Sequence, residues 1–152
     1  MTTNHSFTGV IYIIQVASTL MMTGLIWFVQ VVHYPLFRNV DGNVFKTYEL
    51  RHQILTSWVV IPLMTLELLS AFVLLWNRPQ LFSRRKAWIG LVLLVSIWMS
   101  TLFLQAPQHD ILASGFDVQA HATLIETNWI RTFCWSLRSL VIVTHLSTNH
   151  NY

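Results

Sequence analysis

Four long apolar runs limit the folds that are open to this chain of 152 residues. A helix needs ~20 consecutive apolar residues to cross a hydrocarbon layer ~30 Å thick. Hydrophobic residues make up 54% of the sequence and charged residues only 10%, whereas a soluble domain needs roughly a quarter of its residues charged. We therefore predict an all-α integral membrane protein, an antiparallel four-helix bundle in one domain over residues 1–152. The predicted spans cover residues 7–33, 52–77, 87–106 and 127–146.

The charged residues between the apolar runs predict the orientation of the bundle. The loop between the second and third spans, "NRPQLFSRRK", contains Lys and Arg but no acidic residue, whereas the segments on the opposite side mix both signs. By the positive-inside rule this loop is cytoplasmic, which places both chain termini in the cytoplasm. The first run has no basic residue before it and no small-residue cleavage site, so we expect it to remain in the mature protein.

Several classes of function are disfavoured by what the sequence lacks. Cys134 is the only cysteine, so no intramolecular disulfide can form. The sequence contains no phosphate-binding loop and no dinucleotide-binding glycine motif. The net charge of +3 is explained by the basic loop rather than by a nucleic-acid-binding face. We therefore expect membrane lipid, and no nucleic acid, as a partner.

Helical periodicity of about 100° per residue places polar side chains on one face of the first, second and fourth spans. The second helix is expected to begin near Asn43 and to project beyond the membrane, and Asp117 is placed to cap the fourth helix. We expect Pro35 to end the first helix and Pro107 to end the third. The polar faces of neighbouring helices would then meet in the bundle core.

Four histidines are expected at the outer end of the bundle, because consecutive helices alternate in direction. His33 and His109 end outward-running helices, whereas His52 and His121 begin inward-running ones. Glu49 has the Glu-x-x-His spacing to His52 with which helical bundles present two metal ligands on one face. Imidazole and carboxylate ligands together indicate a mono- or dinuclear site for a divalent transition metal such as iron, zinc or copper. The predicted ligands are His33, His52, His109, His121, Glu49 and Asp117.

Two other interpretations of this histidine cluster remain open. The first is a purely structural polar network, because imidazole rings tolerate the headgroup region of a membrane. The second is haem b held by two histidines, although the end of a bundle leaves less apolar length to enclose a porphyrin. An absorbance scan for a Soret band separates the haem interpretation from the other two.

Two groups of polar residues lie deeper in the predicted spans. Glu67 and Arg138 fall near the membrane midplane, where an unpaired charge costs at least ~2.5 kcal/mol, so we predict a salt bridge between them. Its role is structural pairing, proton relay or binding of a substrate carboxylate. Arg131 either snorkels to headgroups or points outward to the histidines, where it would donate hydrogen bonds to a metal ligand, an anion or a quinone oxygen. The predicted catalytic residues are Glu67, Arg131 and Arg138, and the predicted cofactor-binding residues are Gln30, Tyr48 and Asn128.

Three short motifs resemble those of the small four-span membrane proteins grouped with the anthrone oxygenases of bacteria and fungi. They are "HYP" at residues 33–35, Glu67 in the span after Pro62, and "NWIR" at residues 128–131. The resemblance implies an oxygen-using oxidation of an aromatic or quinol-like substrate at the membrane. We expect a bacterial inner membrane as the location.

Together these features predict a metal-dependent membrane oxidoreductase or oxygenase that acts on a lipid-soluble or quinol-like substrate. A non-catalytic small subunit or scaffold of a larger membrane complex is the alternative, since the abundant aromatic residues suit helix packing and lipid contact equally well. Both the enzyme interpretation and the scaffold interpretation are compatible with a homo-oligomer. Metal in stoichiometric amount favours the enzyme, whereas copurifying larger subunits without metal favour the scaffold.

Overall fold

The computed structural model describes residues 2–79 and 82–149, with side chains described for 6–79 and 82–145. Within these residues the chain is helical and contains no strand, which confirms the all-α prediction. Residue 1 and residues 150–152, whose cytoplasmic location is predicted above, lie outside the described residues. So do residues 80–81 of the basic loop.

Four long helices make up the described part of the chain. Helix α1 spans Thr2–Phe28, α2 spans Gly42–Val73, α3 spans Arg84–Ser100 and α4 spans Val118–Asn149. The helical path of α1 runs on to Asn39, and that of α3 runs on to Leu112.

Carboxylate caps mark where α2 and α4 begin, and the Ser83 hydroxyl caps α3. The Asp41 carboxylate accepts a hydrogen bond from the backbone N–H of Asn43 at 2.8 Å, so α2 begins where the sequence predicts. The Asp117 carboxylate accepts from the backbone N–H of Ala120 at 2.7 Å, which confirms its predicted capping of α4. Both caps satisfy N–H groups that have no partner within their own helix.

Helices α1 and α3 are each followed by a wide π-helical turn that ends two residues before a proline. The turns cover Val29–His33 and Thr101–Gln105, and Pro35 and Pro107 enter the short α-helical segments that follow. The prediction that these prolines end their helices is therefore wrong. Proline has no backbone N–H to donate. In the first turn after such a change of register no donor is required at its position, so the helical path continues past it. The π-turns therefore change the direction in which the side chains after them point.

The helices pack unequally around α4. Helix α4 packs along both α1 and α3, and α1 also packs along α2, whereas α2 and α3 are more loosely joined. Trp135 of α4 is fully buried in the middle of the bundle, and Phe37 and Leu124 are fully buried nearer the π-turns. The loose joint between α2 and α3 leaves a cleft on that side.

Three helical segments are long and apolar enough to cross a membrane: Ser6–Asn39, Gly42–Val73 and Arg84–Leu112. In the most apolar 18-residue stretch of each segment, only 33%, 22% and 22% of the residues, respectively, are buried inside the bundle. Large side chains such as Trp58, which is 76% exposed, lie on the outside. This pattern is consistent with a membrane protein, because a soluble protein rarely exposes extended apolar faces. The fourth predicted span, 127–146, lies in α4, which is not among these three segments.

Candidate metal site

Glu49, His52 and His109 come together at the end of the bundle that contains the π-turns. Each offers one ligand atom, and these atoms lie within 4.8 Å of one another. Glu49 is fully buried, His52 is buried, and His109 is only slightly exposed. Glu49 and His52 lie one turn apart on α2, and His109 lies in the segment that follows the π-turn of α3. Three of the six ligands predicted from the sequence thus form one group.

The carboxylate of Glu49 has one engaged oxygen and one free oxygen. Its Oε1 accepts hydrogen bonds from His109 Nδ1 at 2.6 Å and from Gln53 Nε2 at 3.2 Å. Its Oε2 is buried and has no hydrogen-bond partner in the part of the chain that the structure describes. Gln53 Nε2 also donates to the His109 carbonyl oxygen at 2.9 Å, so it ties α2 to α3 beside the group. A buried carboxylate oxygen without a partner is costly, and a bound cation would compensate it.

His33 lies beside this group and contacts His52 directly. Nε2 of His33 and Nδ1 of His52 are 2.9 Å apart, and the ring centroids are separated by 4.7 Å. The hydroxyl of Thr56 lies 3.1 Å from the same Nδ1. These contacts occupy Nδ1 of His52, so Nε2 remains available as a metal ligand. Because the two rings touch, a porphyrin does not fit between His33 and His52.

Phe37 brings all four predicted histidines around one aromatic ring. Its centroid lies 5.2 Å from that of His33, 5.1 Å from His52, 6.5 Å from His109 and 6.2 Å from His121. The predicted clustering of the four histidines at one end of the bundle is therefore confirmed, although an apolar side chain occupies its centre. Sequence reasoning missed Phe37, because a phenylalanine in an apolar sequence carries no signal of its position.

His121 and Asp117 lie outside the three-residue group, although the sequence predicts both as metal ligands. Nε2 of His121 donates to the backbone carbonyl oxygen of Tyr34 at 2.8 Å, and its ring stacks on Phe37. Asp117 is exposed and caps α4. Their contacts assign both residues structural roles at this end of the bundle.

Tyr34 is a second residue that sequence reasoning did not assign to the site. Its hydroxyl lies 3.0 Å from Nε2 of His109 and accepts from Nη2 of Arg131 at 3.3 Å. Both ring nitrogens of His109 therefore have hydrogen-bond partners, Glu49 at Nδ1 and Tyr34 at Nε2. Tyr34 therefore joins a buried cation to the candidate metal ligands. Its place directly after a π-turn and before Pro35 was the available signal, since π-turns are frequent at functional sites.

A chain of amide groups positions Arg131 toward Tyr34. Gln30 Nε2 donates to the Ile125 carbonyl oxygen at 3.1 Å, and Gln30 Oε1 accepts from Asn128 Nδ2 at 2.7 Å. Asn128 Oδ1 accepts from Nε of Arg131 at 2.8 Å and from its Nη2 at 2.5 Å. Two of the predicted cofactor-binding residues thus orient Arg131. The third, Tyr48, packs against Phe37 at a centroid distance of 5.5 Å.

A cleft of about 310 Å³ opens beside the group between α2 and α3. Its polar lining includes Arg131 and the exposed carboxylate Asp110, and the other polar lining residues are His52, Gln53, Thr56, Ser57, Thr101, Gln105 and His109. The remaining walls are mainly apolar and include Val60, Ile61, Met64, Trp98, Leu102 and Ala106. The cleft therefore joins an apolar surface to the candidate ligands.

Glu67 and Arg138 form the predicted salt bridge, with Arg138 Nε 2.9 Å from Glu67 Oε1. Glu67 is fully buried, and Arg138 is 2% exposed. The hydroxyl of Thr19 donates to Glu67 Oε1 at 2.7 Å, and Trp135 Nε1 donates to Oε2 at 3.0 Å. Arg138 also donates to the Gly90 carbonyl oxygen. These bonds join all four helices in a cluster that shares no residue with the metal-ligand group.

Comparison of the chain with protein-family models, with curated proteins and with solved structures finds no match. The chemistry assigned to this site therefore rests on its geometry.

Proposed function

We propose that the protein is an integral membrane, antiparallel four-helix bundle that binds a divalent transition metal at Glu49, His52 and His109. The exposed apolar faces of three helices support the membrane location. The basic loop supports a cytoplasmic position for both termini and an outer position for the metal site. A bacterial inner membrane is the location that we propose.

The free Oε2 of Glu49 is the observation that carries the metal proposal. It belongs to a fully buried carboxylate that lies among two imidazoles, one of which has an unoccupied ring nitrogen. Carboxylate and imidazole ligands are those that iron, zinc and copper accept. The contact between His33 and His52 favours a bare ion over haem.

For the reaction we propose oxidation of a lipid-soluble or quinol-like substrate that enters through the cleft between α2 and α3. A bound iron or copper ion supplies redox chemistry with dioxygen. The apolar walls hold the substrate body and exclude water, while Arg131 and Thr101 offer polar contacts at the inner end. On the His109 ring a bound ion would replace one of two hydrogen bonds, the one from Nδ1 to Glu49 or the one between Nε2 and Tyr34. The hydrogen-bonded cluster around Glu67 and Arg138 joins the four helices at a place separate from the metal ligands.

A non-catalytic subunit of a larger complex is the second candidate, favoured by the extent of the exposed apolar faces. Elemental analysis of the purified protein separates the two. We expect about one metal ion per chain in the wild type, a strong loss in Glu49→Gln and His52→Ala, and retention in Asp117→Asn, a control for the change of a carboxylate. Equal metal content in all four proteins, or none in any, contradicts the assigned site.

A further inference from the structure

Arg131 is a buried cation that has no carboxylate partner among the described residues. It is 7% exposed, and the two buried carboxylates of the described residues bond to other side chains, Glu49 to His109 and Glu67 to Arg138. Its own hydrogen bonds go to neutral oxygens of Asn128, Thr101 and Tyr34. A guanidinium in such surroundings is costly unless an anion compensates its charge.

The hydrogen bonds of Arg131 leave one donor unused. A guanidinium carries five N–H groups. One bond starts at Nε, one at Nη1 and two at Nη2, so one N–H of Nη1 has no acceptor among the described residues. Arg131 and Thr101, which accepts the other Nη1 bond, both line the cleft between α2 and α3. The unused donor therefore belongs to the polar end of the cleft.

The cleft also brings this cation next to the candidate metal ligands His52 and His109. If the metal proposal holds, a divalent ion adds positive charge beside Arg131, and Glu49 is the one carboxylate of the ligand group. Asp110 is the other carboxylate among the described residues that line the cleft, and it is exposed, so a divalent ion together with Arg131 still leaves an excess of positive charge. An anionic ligand would remove this excess.

We propose that the cleft binds a lipophilic carboxylate, with its anionic head on Arg131 and its apolar body between α2 and α3. This inference rests on the proposed function for the place of the ligand beside a metal, whereas the unpaired charge of Arg131 stands without it. Charge complementarity selects the head, and the walls formed by Ile61, Met64 and Leu102 select the body. A cleft of about 310 Å³ suits a small single-chain molecule rather than a two-chain phospholipid.

Two matched probes test this assignment in protein purified in a non-ionic detergent: a terminally brominated undecanoate and the corresponding brominated alcohol. Bromine quenches tryptophan fluorescence on contact, and Trp98 lines the cleft. We expect saturable quenching by the carboxylate at concentrations where the alcohol has little effect. Trp98→Phe should remove most of the quenching. Equal binding of the two probes, or quenching that is unchanged in Trp98→Phe, overturns the inference.

Variants of Arg131 test the role of its charge. Arg131→Gln should weaken binding of the carboxylate by at least about tenfold, as expected for loss of a charged hydrogen bond, and should leave binding of the alcohol unchanged. Arg85→Gln removes the same charge from the exposed basic segment and should have no effect. Arg131→Lys, which keeps the charge, should retain part of the preference and serves if Arg131→Gln does not fold. An unchanged affinity in folded Arg131→Gln overturns the inference.

Both probes are measured on chelator-treated and on zinc-loaded protein, so that the two proposals fail separately. A preference for the carboxylate that increases with zinc supports both. The same preference in a protein that takes up no zinc supports the anion site and contradicts the metal site. No preference in chelator-treated protein overturns the anion site, whatever the result with zinc.

Discussion

The hydroxyl of Tyr34 lies 3.0 Å from Nε2 of His109 and thereby joins the buried Arg131 to the candidate metal ligands. Tyr34 lies on the segment that follows the π-turn of α1, and His109 lies on the corresponding segment of α3. A π-turn in each of the two helices thus brings together two side chains that are 75 positions apart in the chain.

Tyr34→Phe tests this relationship. It leaves Nε2 of His109 and one bond of Arg131 without their partner, so we expect a loss of about 1–3 kcal/mol in the free energy of unfolding. Tyr48→Phe is the matched control, because the Tyr48 hydroxyl makes no hydrogen bond among the described residues, and its effect should stay within about 0.5 kcal/mol. Reversible unfolding in detergent mixtures measures both. Equal effects of the two substitutions contradict the bridging role.

The Glu67–Arg138 pair predicts a strongly non-additive double-mutant cycle. Glu67→Gln or Arg138→Gln alone leaves a buried charge without its partner and should cost about 3–5 kcal/mol. The double variant should cost clearly less than the two single costs combined, because neither charge then remains. Unfolding measurements on all four proteins give the coupling. Additive effects indicate that the two side chains are not paired when buried.

Metal binding should stabilise the fold by linkage. At a free zinc concentration of 100 times the dissociation constant, we expect a gain of about 2.7 kcal/mol in unfolding free energy. His52→Ala should abolish the gain, whereas Asp117→Asn, which changes the exposed cap of α4, should retain it. Thermal unfolding with and without zinc provides the measurement. A gain that persists in His52→Ala places the ion elsewhere.

Trp58 and Trp135 predict how the bundle lies in lipid. Trp58 is 76% exposed on α2, whereas Trp135 is fully buried against Glu67. In bilayers of phosphatidylcholine with brominated acyl chains, Trp58→Phe should reduce the quenching of protein fluorescence. Trp135→Phe should leave the quenched component unchanged. Quenching that is insensitive to Trp58 shows that this face of α2 does not contact acyl chains.

Much of the site follows from local sequence rules. The Glu-x-x-His spacing predicts Glu49 and His52 as neighbours on one helix face, and the direction of successive helices predicts the clustering of the four histidines. The depth of Glu67 and Arg138 predicts their salt bridge, since an unpaired charge there is too costly. These inferences need only helical periodicity and the cost of burying charge.

The sequence by itself determined the helical class and the apolar segments, because composition and periodicity act locally. The tertiary structure decided which polar groups share a partner. His121 and Asp117 satisfy the backbone, whereas Tyr34 contacts both His109 and Arg131, and no spacing rule distinguishes these outcomes. For Tyr34 and His109 the reason is that the π-turns before Pro35 and Pro107 rotate the following residues out of regular helical register. Face assignments made from regular helices therefore lose their register beyond those turns.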